Sequence, residues 1–429
     1  MDDLIATLKA RLSRNPRLAS IEQGLLEMLR PDLPIAAQQH LKPLWYKDRM
    51  ELVLRGLSAE VAPVNLELVP SLECNLHCPH CTYGTWKART VAERGSRLMP
   101  YERMVVIFDR LEAAAVLGVT ITGGGEPFTN PDTSRGLQYA ATKEFDTGVF
   151  SNGTLLDGTT IEELAELDLS FIRISLNSGE CSSYLRFHGI TDPAVFEAVT
   201  SNVELLGRAL FRSPTTLGLA AIVNEVNVDA MPSIAEFVRR LYDTHGDFRL
   251  DYLAYRPVLN YGQLSDDLTR QISPGIAQRA IQGFERVKEI LQGLPVQAKF
   301  AEDYFLAAAR ATQKSERGYS TCLGHGFCGS VAYDGGLYLC SERDGCPGYL
   351  LCSLLDFSLE EIWHSAQRRT VLDNIHGCGP ACKVHRTNLL LHCLTQHGSL
   401  SELEAAEVQA FLDVIREAGE PDKLSFLSW

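Results

Sequence analysis

Along this chain, short apolar runs alternate with longer stretches whose apolar residues recur every three or four positions. The short runs lie at 64–69, 118–122, 147–150, 170–175, 217–223 and 249–253, and each reads as a strand. Between them the 3.6-residue pattern predicts helices over 101–117, 161–167, 196–210 and 234–244. Strand followed by crossover helix is the pattern of parallel βαβ units, so residues 61–300 are expected to form an α/β fold, a partial (β/α)6 TIM-like barrel. Residues 1–60 space Leu4, Leu8 and Leu12 by four and predict a helical N-terminal extension. Past residue 300 the pattern gives way to Gly- and Cys-rich loops, which suggest a small, separate, metal-organised α+β module over 301–395. The tail, 396–429, reads as a helix: Ser399 and Glu402 make a capping box, Val408, Phe411, Leu412 and Ile415 an apolar stripe, and Gly419 a stop.

Composition changes this picture little, whereas charge narrows it. The 429 residues are 45% hydrophobic and 22% charged, ordinary for a globular protein. The formal charge of −14 disfavours a nucleic-acid partner, because such binding rests on clustered Lys and Arg. Asp2, Asp3, Lys9, Arg11, Arg14 and Arg17 interrupt the start, which leaves no signal-peptide core, and no apolar run approaches the roughly 18 residues of a membrane span. A cytoplasmic protein without a membrane partner is expected. In that setting the 12 cysteines point to metal or redox chemistry rather than disulfides.

Three of them, Cys74, Cys78 and Cys81, follow the first strand at the spacing CxxxCxxC. Three thiolates suit a four-iron cluster with one iron open to a small molecule. A zinc site completed by His77 or His80 fits the same spacing. After the second strand comes Gly123, Gly124, Gly125, Glu126 and Pro127, where residues without Cβ let the backbone approach a ligand closely. Further polar groups close later strands, at Ser151, Asn152 and Gly153, at Ser175 and Asn177, at Asn224 and Glu225, and at Arg256. All fall at strand carboxyl ends, the face on which barrel enzymes build their sites.

In this order of motifs the chain resembles the radical S-adenosylmethionine (SAM) superfamily over roughly residues 60–290 and in its cysteine-rich region. The resemblance implies that Cys74, Cys78 and Cys81 hold a 4Fe-4S cluster and that SAM chelates its open iron. An electron then cleaves SAM to methionine and a 5′-deoxyadenosyl radical. It implies that Gly123, Gly124, Gly125, Glu126 and Pro127 contact the methionyl amine of SAM, and that Asn152, Ser175 and Asn224 touch the rest of the cofactor. For those last three, a strand-end turn or cap is the competing reading.

The segment from Cys322 through Gly335 to Cys340, with Cys378 and Cys382 beyond, is similar to the SPASM and twitch extensions of that family, which carry two and one auxiliary clusters. One division gives Cys322, Cys328, Cys340 and Cys382 to a first 4Fe-4S cluster and Cys346, Cys352, Cys378 and Cys393 to a second. A twitch arrangement uses Cys322, Cys340, Cys378 and Cys382 alone and leaves the other cysteines as buried thiols. The chain lacks the opening pair of the usual SPASM run. Cys181 stands apart, in a loop after the fourth strand, where a thiol could return hydrogen to a substrate radical. Tyr184, Arg186 and His188 share that loop.

The enzyme so implied abstracts hydrogen from a polar small molecule, a sugar, aminocyclitol, nucleoside or amino acid, giving oxidation or epimerisation in natural-product biosynthesis. A flavodoxin or ferredoxin is the implied reductant. The alternatives are a SPASM-type maturase of a ribosomal peptide and a zinc-stabilised, non-enzymatic binding protein.

Overall fold

The computed structural model describes residues 39–81, 97–258, 272–310, 321–375, 382 and 384–396. Most of the expected N-terminal extension and nearly all of the C-terminal helix lie outside these residues. So do Cys378 and the side chain of Cys393.

A short helix, α1 (Lys47–Leu54), leads into β1 (Asn65–Leu68). Strand and helix then alternate through α2 (Tyr101–Ala113), β2 (Gly118–Ile121), α3 (Thr133–Ala140), β3 (Asp146–Ser151), α4 (Gly158–Glu166) and β4 (Phe171–Ser175). Two helices, α5 (Cys181–His188) and α6 (Pro193–Ala209), separate β4 from β5 (Thr216–Val223). After α7 (Met231–Thr244) and β6 (Tyr252–Pro257) come α8 (Pro274–Leu291), β7 (Gln297–Phe300) and α9 (Glu302–Arg310). The last part holds β8 (Cys328–Val331), β9 (Gly336–Tyr338), β10 (Leu350–Ser353), α10 (Leu359–Trp363), α11 (Ala366–Asp373) and α12 (His385–Gln396).

One sheet runs in the order β10-β9-β8-β1-β2-β3-β4-β5-β6-β7. From β8 to β7 every neighbouring pair is parallel, and β9 and β10 are antiparallel. The sheet does not close, since β10 and β7 are its edges. The partial barrel is therefore present with one parallel strand more than the six expected, and the cysteine-rich region extends the same sheet through β8. Leu66, Leu68, Val119, Ile121, Ile172, Ile174, Leu253 and Tyr255 face the helices and build the core. The alternate residues Glu67, Phe150, Ser175, Ile222, Ala254 and Arg256 are only partly buried and line the concave face. Among the described residues no helix is long and apolar enough to cross a membrane.

Three local expectations need correction. Strand β6 starts at Tyr252, not 249, because Arg249 is tied to Asp251 and its N–H to Gly207 O (3.1 Å). The strand β7 was not anticipated, as its four residues Gln-Ala-Lys-Phe carry no apolar run. The segment read as a loop after β4 is instead helix α5, stopped by Gly189 at φ 65. Tyr184 and His188 lie buried on it.

Candidate active site

The cysteine loop leaves the carboxyl end of β1 and is braced by the turn after β2. Gly125 N–H donates to Ser71 O (3.0 Å) and Glu126 N–H to Glu73 O (2.8 Å). Ser71 Oγ also accepts from Glu73 N–H (2.9 Å). A Cβ on Gly123 would lie 1.9 Å from the carbonyl oxygen of Gly125, so this turn closes only because glycine stands there. Cys74, Cys78 and Cys81 meet in front of it. Burial, then the charges of Cys81 and Cys74, pushes the Cys78 thiol up to about 12. Burial likewise raises Cys74 to about 11, against donation to its sulfur from Leu76 N–H (3.4 Å). A cationic group at the site is what would convert such thiols to thiolates. Among the described residues no three His, Cys, Asp or Glu side chains gather closely enough to hold a single metal ion.

Glu126 is 2% exposed beside them. Its Oε1 accepts from Ser151 Oγ (2.7 Å) and Phe128 N–H (3.3 Å), and its Oε2 from Asn152 N–H (2.6 Å). Burial outweighs these donors and raises its carboxyl to about 7. Asn152 donates to Asn75 Oδ1 (2.9 Å) and accepts from Thr154 N–H (2.9 Å), and its side chain also reaches the Cys74 sulfur. Ser175 ends β4 on the concave face, partly exposed. Asn224, 1% exposed, accepts from Val226 N–H (2.8 Å) and thus serves the turn after β5.

Helix α5 supplies what the sequence did not announce. His188 Nδ1 lies 2.9 Å from Cys78 Sγ, across 110 residues of chain. Burial holds its imidazole down at about 3, so it is neutral. The ring of Tyr184 packs against that of His188, centroids 4.2 Å apart and tilted by 41°. Its hydroxyl is buried with no hydrogen-bond partner and senses the charges of Cys78, Glu126 and Cys74. A buried hydroxyl without a partner, beside groups that become anionic on losing a proton, fits a site built for a polar ligand. Cys181 opens α5, partly exposed, and shares the face of Tyr184 and His188 at the spacing 181, 184, 188.

Lower on the concave face, Arg173 lies over Phe150 (3.3 Å) and hydrogen-bonds Tyr252, while Lys299 lies over the Tyr252 ring (4.4 Å). Burial and the neighbouring Arg256 both press on the Arg173 guanidinium, with Glu67 as the nearby counter-charge. The meeting of Arg173 with Arg256, and of Arg173 and Lys299 with Tyr252, went unnoticed in the sequence, although a charged residue inside an apolar strand such as Phe-Ile-Arg-Ile-Ser was a signal.

Of the distal cysteines, Cys328, Cys346 and Cys382 are buried and Cys322, Cys340 and Cys352 partly so. Cys328 begins β8 and Cys352 lies on β10. Asn388 Nδ2 donates to Cys322 Sγ (3.4 Å). Among the described residues no cysteine forms a disulfide.

Residues 68–238 match the family model of the radical SAM superfamily. Residues 68–238 thus carry a radical SAM domain, for which a 4Fe-4S cluster and SAM are the characteristic cofactors. An AdoMet-dependent heme synthase of Methanosarcina barkeri is 23% identical over 308 residues, covering 68% of this chain and 80% of that one. The mycofactocin maturase MftC of Mycobacterium tuberculosis is 32% identical over 143 residues, 33% of this chain and 34% of its own. Streptococcus suis SuiB bound to its precursor peptide SuiA superposes with a TM-score of 0.57 at 14% identity, covering 77% of this chain and 72% of SuiB. The last likeness is one of fold.

Proposed function

We propose that Cys74, Cys78 and Cys81 hold the 4Fe-4S cluster and that the chain uses SAM to abstract a hydrogen atom from a substrate bearing an anionic group. The observation that carries the cofactor reading is the convergence of three coupled thiols, the Glu126 carboxylate and the Tyr184 hydroxyl on one buried place. The family match over residues 68–238 favours a polynuclear cluster over tetrahedral zinc at these thiols. When bound, the cluster supplies the electron that splits SAM into methionine and a 5′-deoxyadenosyl radical.

The protein's own part is to hold and orient. Gly123, Gly124, Gly125 and Pro127 shape the turn, and Glu126 accepts from a cationic amine. Asn152 and Ser175 flank the place where the rest of SAM would lie, and Asn224 supports it through its turn. Arg173, Arg256 and Lys299 favour a carboxylate or phosphate on the substrate. Cys181, on the helix face of Tyr184 and His188, is the candidate hydrogen donor for an epimerising outcome. Cys322, Cys328, Cys340, Cys346, Cys352, Cys378, Cys382 and Cys393 are candidates for SPASM-like auxiliary clusters. If one of these accepts the electron, the outcome is oxidation. A flavodoxin or ferredoxin is the proposed reductant.

Anaerobic reconstitution with iron and sulfide analysis tests this reading. The variant with Cys74, Cys78 and Cys81 all changed to Ala should lose SAM cleavage and keep auxiliary iron. A colourless protein holding only zinc would overturn it. For the substrate, Arg256→Met should raise KM for an acidic metabolite about tenfold, with substrate-free SAM cleavage unchanged. Turnover of a neutral peptide, unaffected by Arg256→Met, would reject the anionic class.

A further inference from the structure

We infer that His188 is a positioning residue for the iron-sulfur site: it holds a fixed imidazole N–H on Cys78 Sγ and thereby raises the reduction potential of the cluster. The inference rests on the assignment of Cys78 as a cluster ligand.

The chain of contacts begins at a backbone group on β5. Ile222 N–H donates to Asn177 Oδ1 at 2.8 Å, which fixes the orientation of that amide. Asn177 Nδ2 therefore faces His188 Nε2, 3.3 Å away, as a donor. A ring nitrogen that accepts is bare, so the proton of the neutral imidazole sits on Nδ1. Nδ1 lies 2.9 Å from Cys78 Sγ, and the proton points at sulfur. The opposite tautomer would set two N–H groups against each other at Nε2.

The elements behind this chain are tied down. Asn177 is 5% exposed, and Asn227 Nδ2 donates to both Asn177 O and Ile222 O (2.8 Å each). The imidazole is packed by the rings of Tyr184 (4.2 Å), Phe187 (5.2 Å) and His80 (6.2 Å). Gly189 in the left-handed region ends the helix one residue later. A Cβ on that glycine would touch Pro79 at 3.1 Å, so the helix end also abuts the cysteine loop. The direction of the effect follows from electrostatics. A reduced cluster carries one more negative charge on its sulfurs, and a donated proton stabilises it more than the oxidised state. The strand ends thereby help set how readily the enzyme accepts the electron it uses.

The test is a redox titration of the reconstituted holoenzyme, followed through the EPR signal that SAM perturbs. His188→Phe should shift the reduction equilibrium about tenfold toward the oxidised state, about 59 mV for a one-electron couple, with iron content retained. His188→Asn, whose amide can place an N–H near the Nδ1 position, should recover at least half of the shift. An unchanged potential in an iron-replete His188→Phe overturns the inference alone. Should that variant fail to take up iron, the tautomer decides, read by 15N NMR of histidine-labelled, cluster-free full-length protein. A proton on Nδ1 supports the inference, and a proton on Nε2 rejects it. A SAM-perturbed signal that survives Cys78→Ala removes the ligand assignment and this inference together.

Discussion

A Cβ placed on Gly125 would stand 1.9 Å from the carbonyl oxygen of Glu73, the residue just before Cys74. The two motifs of the site are thus packed backbone to backbone, and the hydrogen bonds of Gly125 to Ser71 and Glu126 to Glu73 hold them so. Because the clash is with main chain rather than a flexible side chain, Gly125→Ala has to move the cysteine loop. We expect a loss of about 1–3 kcal/mol in urea unfolding of the cluster-free chain, together with reduced iron uptake. Gly158→Ala, where a Cβ meets nothing within 4 Å, is the matched control and should change neither.

The buried carboxyl of Glu126 makes stability depend on pH. Its folded value, about 7, lies above the ordinary 4.5, so the folded state holds the proton more tightly than the unfolded chain. The corresponding stability is fully present below pH 4.5 and is lost as pH rises to about 7, up to about 3 kcal/mol. Urea midpoints of the cluster-free protein should fall over that window relative to Glu126→Gln. SAM binding should run the opposite way, tightening as pH rises through 7, because the ionised carboxylate is the form that accepts from an amine. A flat SAM affinity between pH 6 and 8 would count against the contact.

Tyr184 separates folding from binding. Its hydroxyl is buried without a partner, a state that costs about 1–3 kcal/mol until something satisfies it. Tyr184→Phe should therefore leave the cluster-free protein as stable as wild type or more so, while SAM affinity of the holoenzyme, read by equilibrium dialysis, drops about tenfold. A variant that loses stability and binds SAM normally would make the hydroxyl a packing feature.

The parts legible from sequence were those whose signal is local. The CxxxCxxC spacing, the glycines after β2 and the polar ends of β3 and β4 are each written within a few residues, and the structure sets them along one end of the sheet. Strand β7 escaped notice because Gln-Ala-Lys-Phe gains its strand character from pairing with β6, not from its own pattern. Helix α5 escaped because eight residues opening on Cys-Ser-Ser carry little helix propensity, and its place is set by Tyr184, Phe187 and His188 packing inward. The pairing of His188 with Cys78 spans 110 residues and has no sequence signature at all. Arg173 belongs to the same class, since its neighbours Phe150 on β3 and Tyr252 and Arg256 on β6 come from other strands.

The helical placement of Cys181 changes what can be asked of it. On α5 it shares a face with Tyr184 and His188, and seven residues of helix set it about 10 Å along the axis from the imidazole that meets Cys78. Under the epimerising outcome, turnover in deuterated water should place one solvent-derived deuterium at the inverted carbon. Cys181→Ala should abolish that label and cut product formation at least tenfold, while SAM cleavage and iron content stay at wild-type levels. If Cys181→Ala gives the same product at the same rate, and no deuterium enters with the wild type, the electron leaves by another route. The distal cysteines then become the residues to vary, beginning with Cys328 and Cys352 on the strands that continue the barrel sheet.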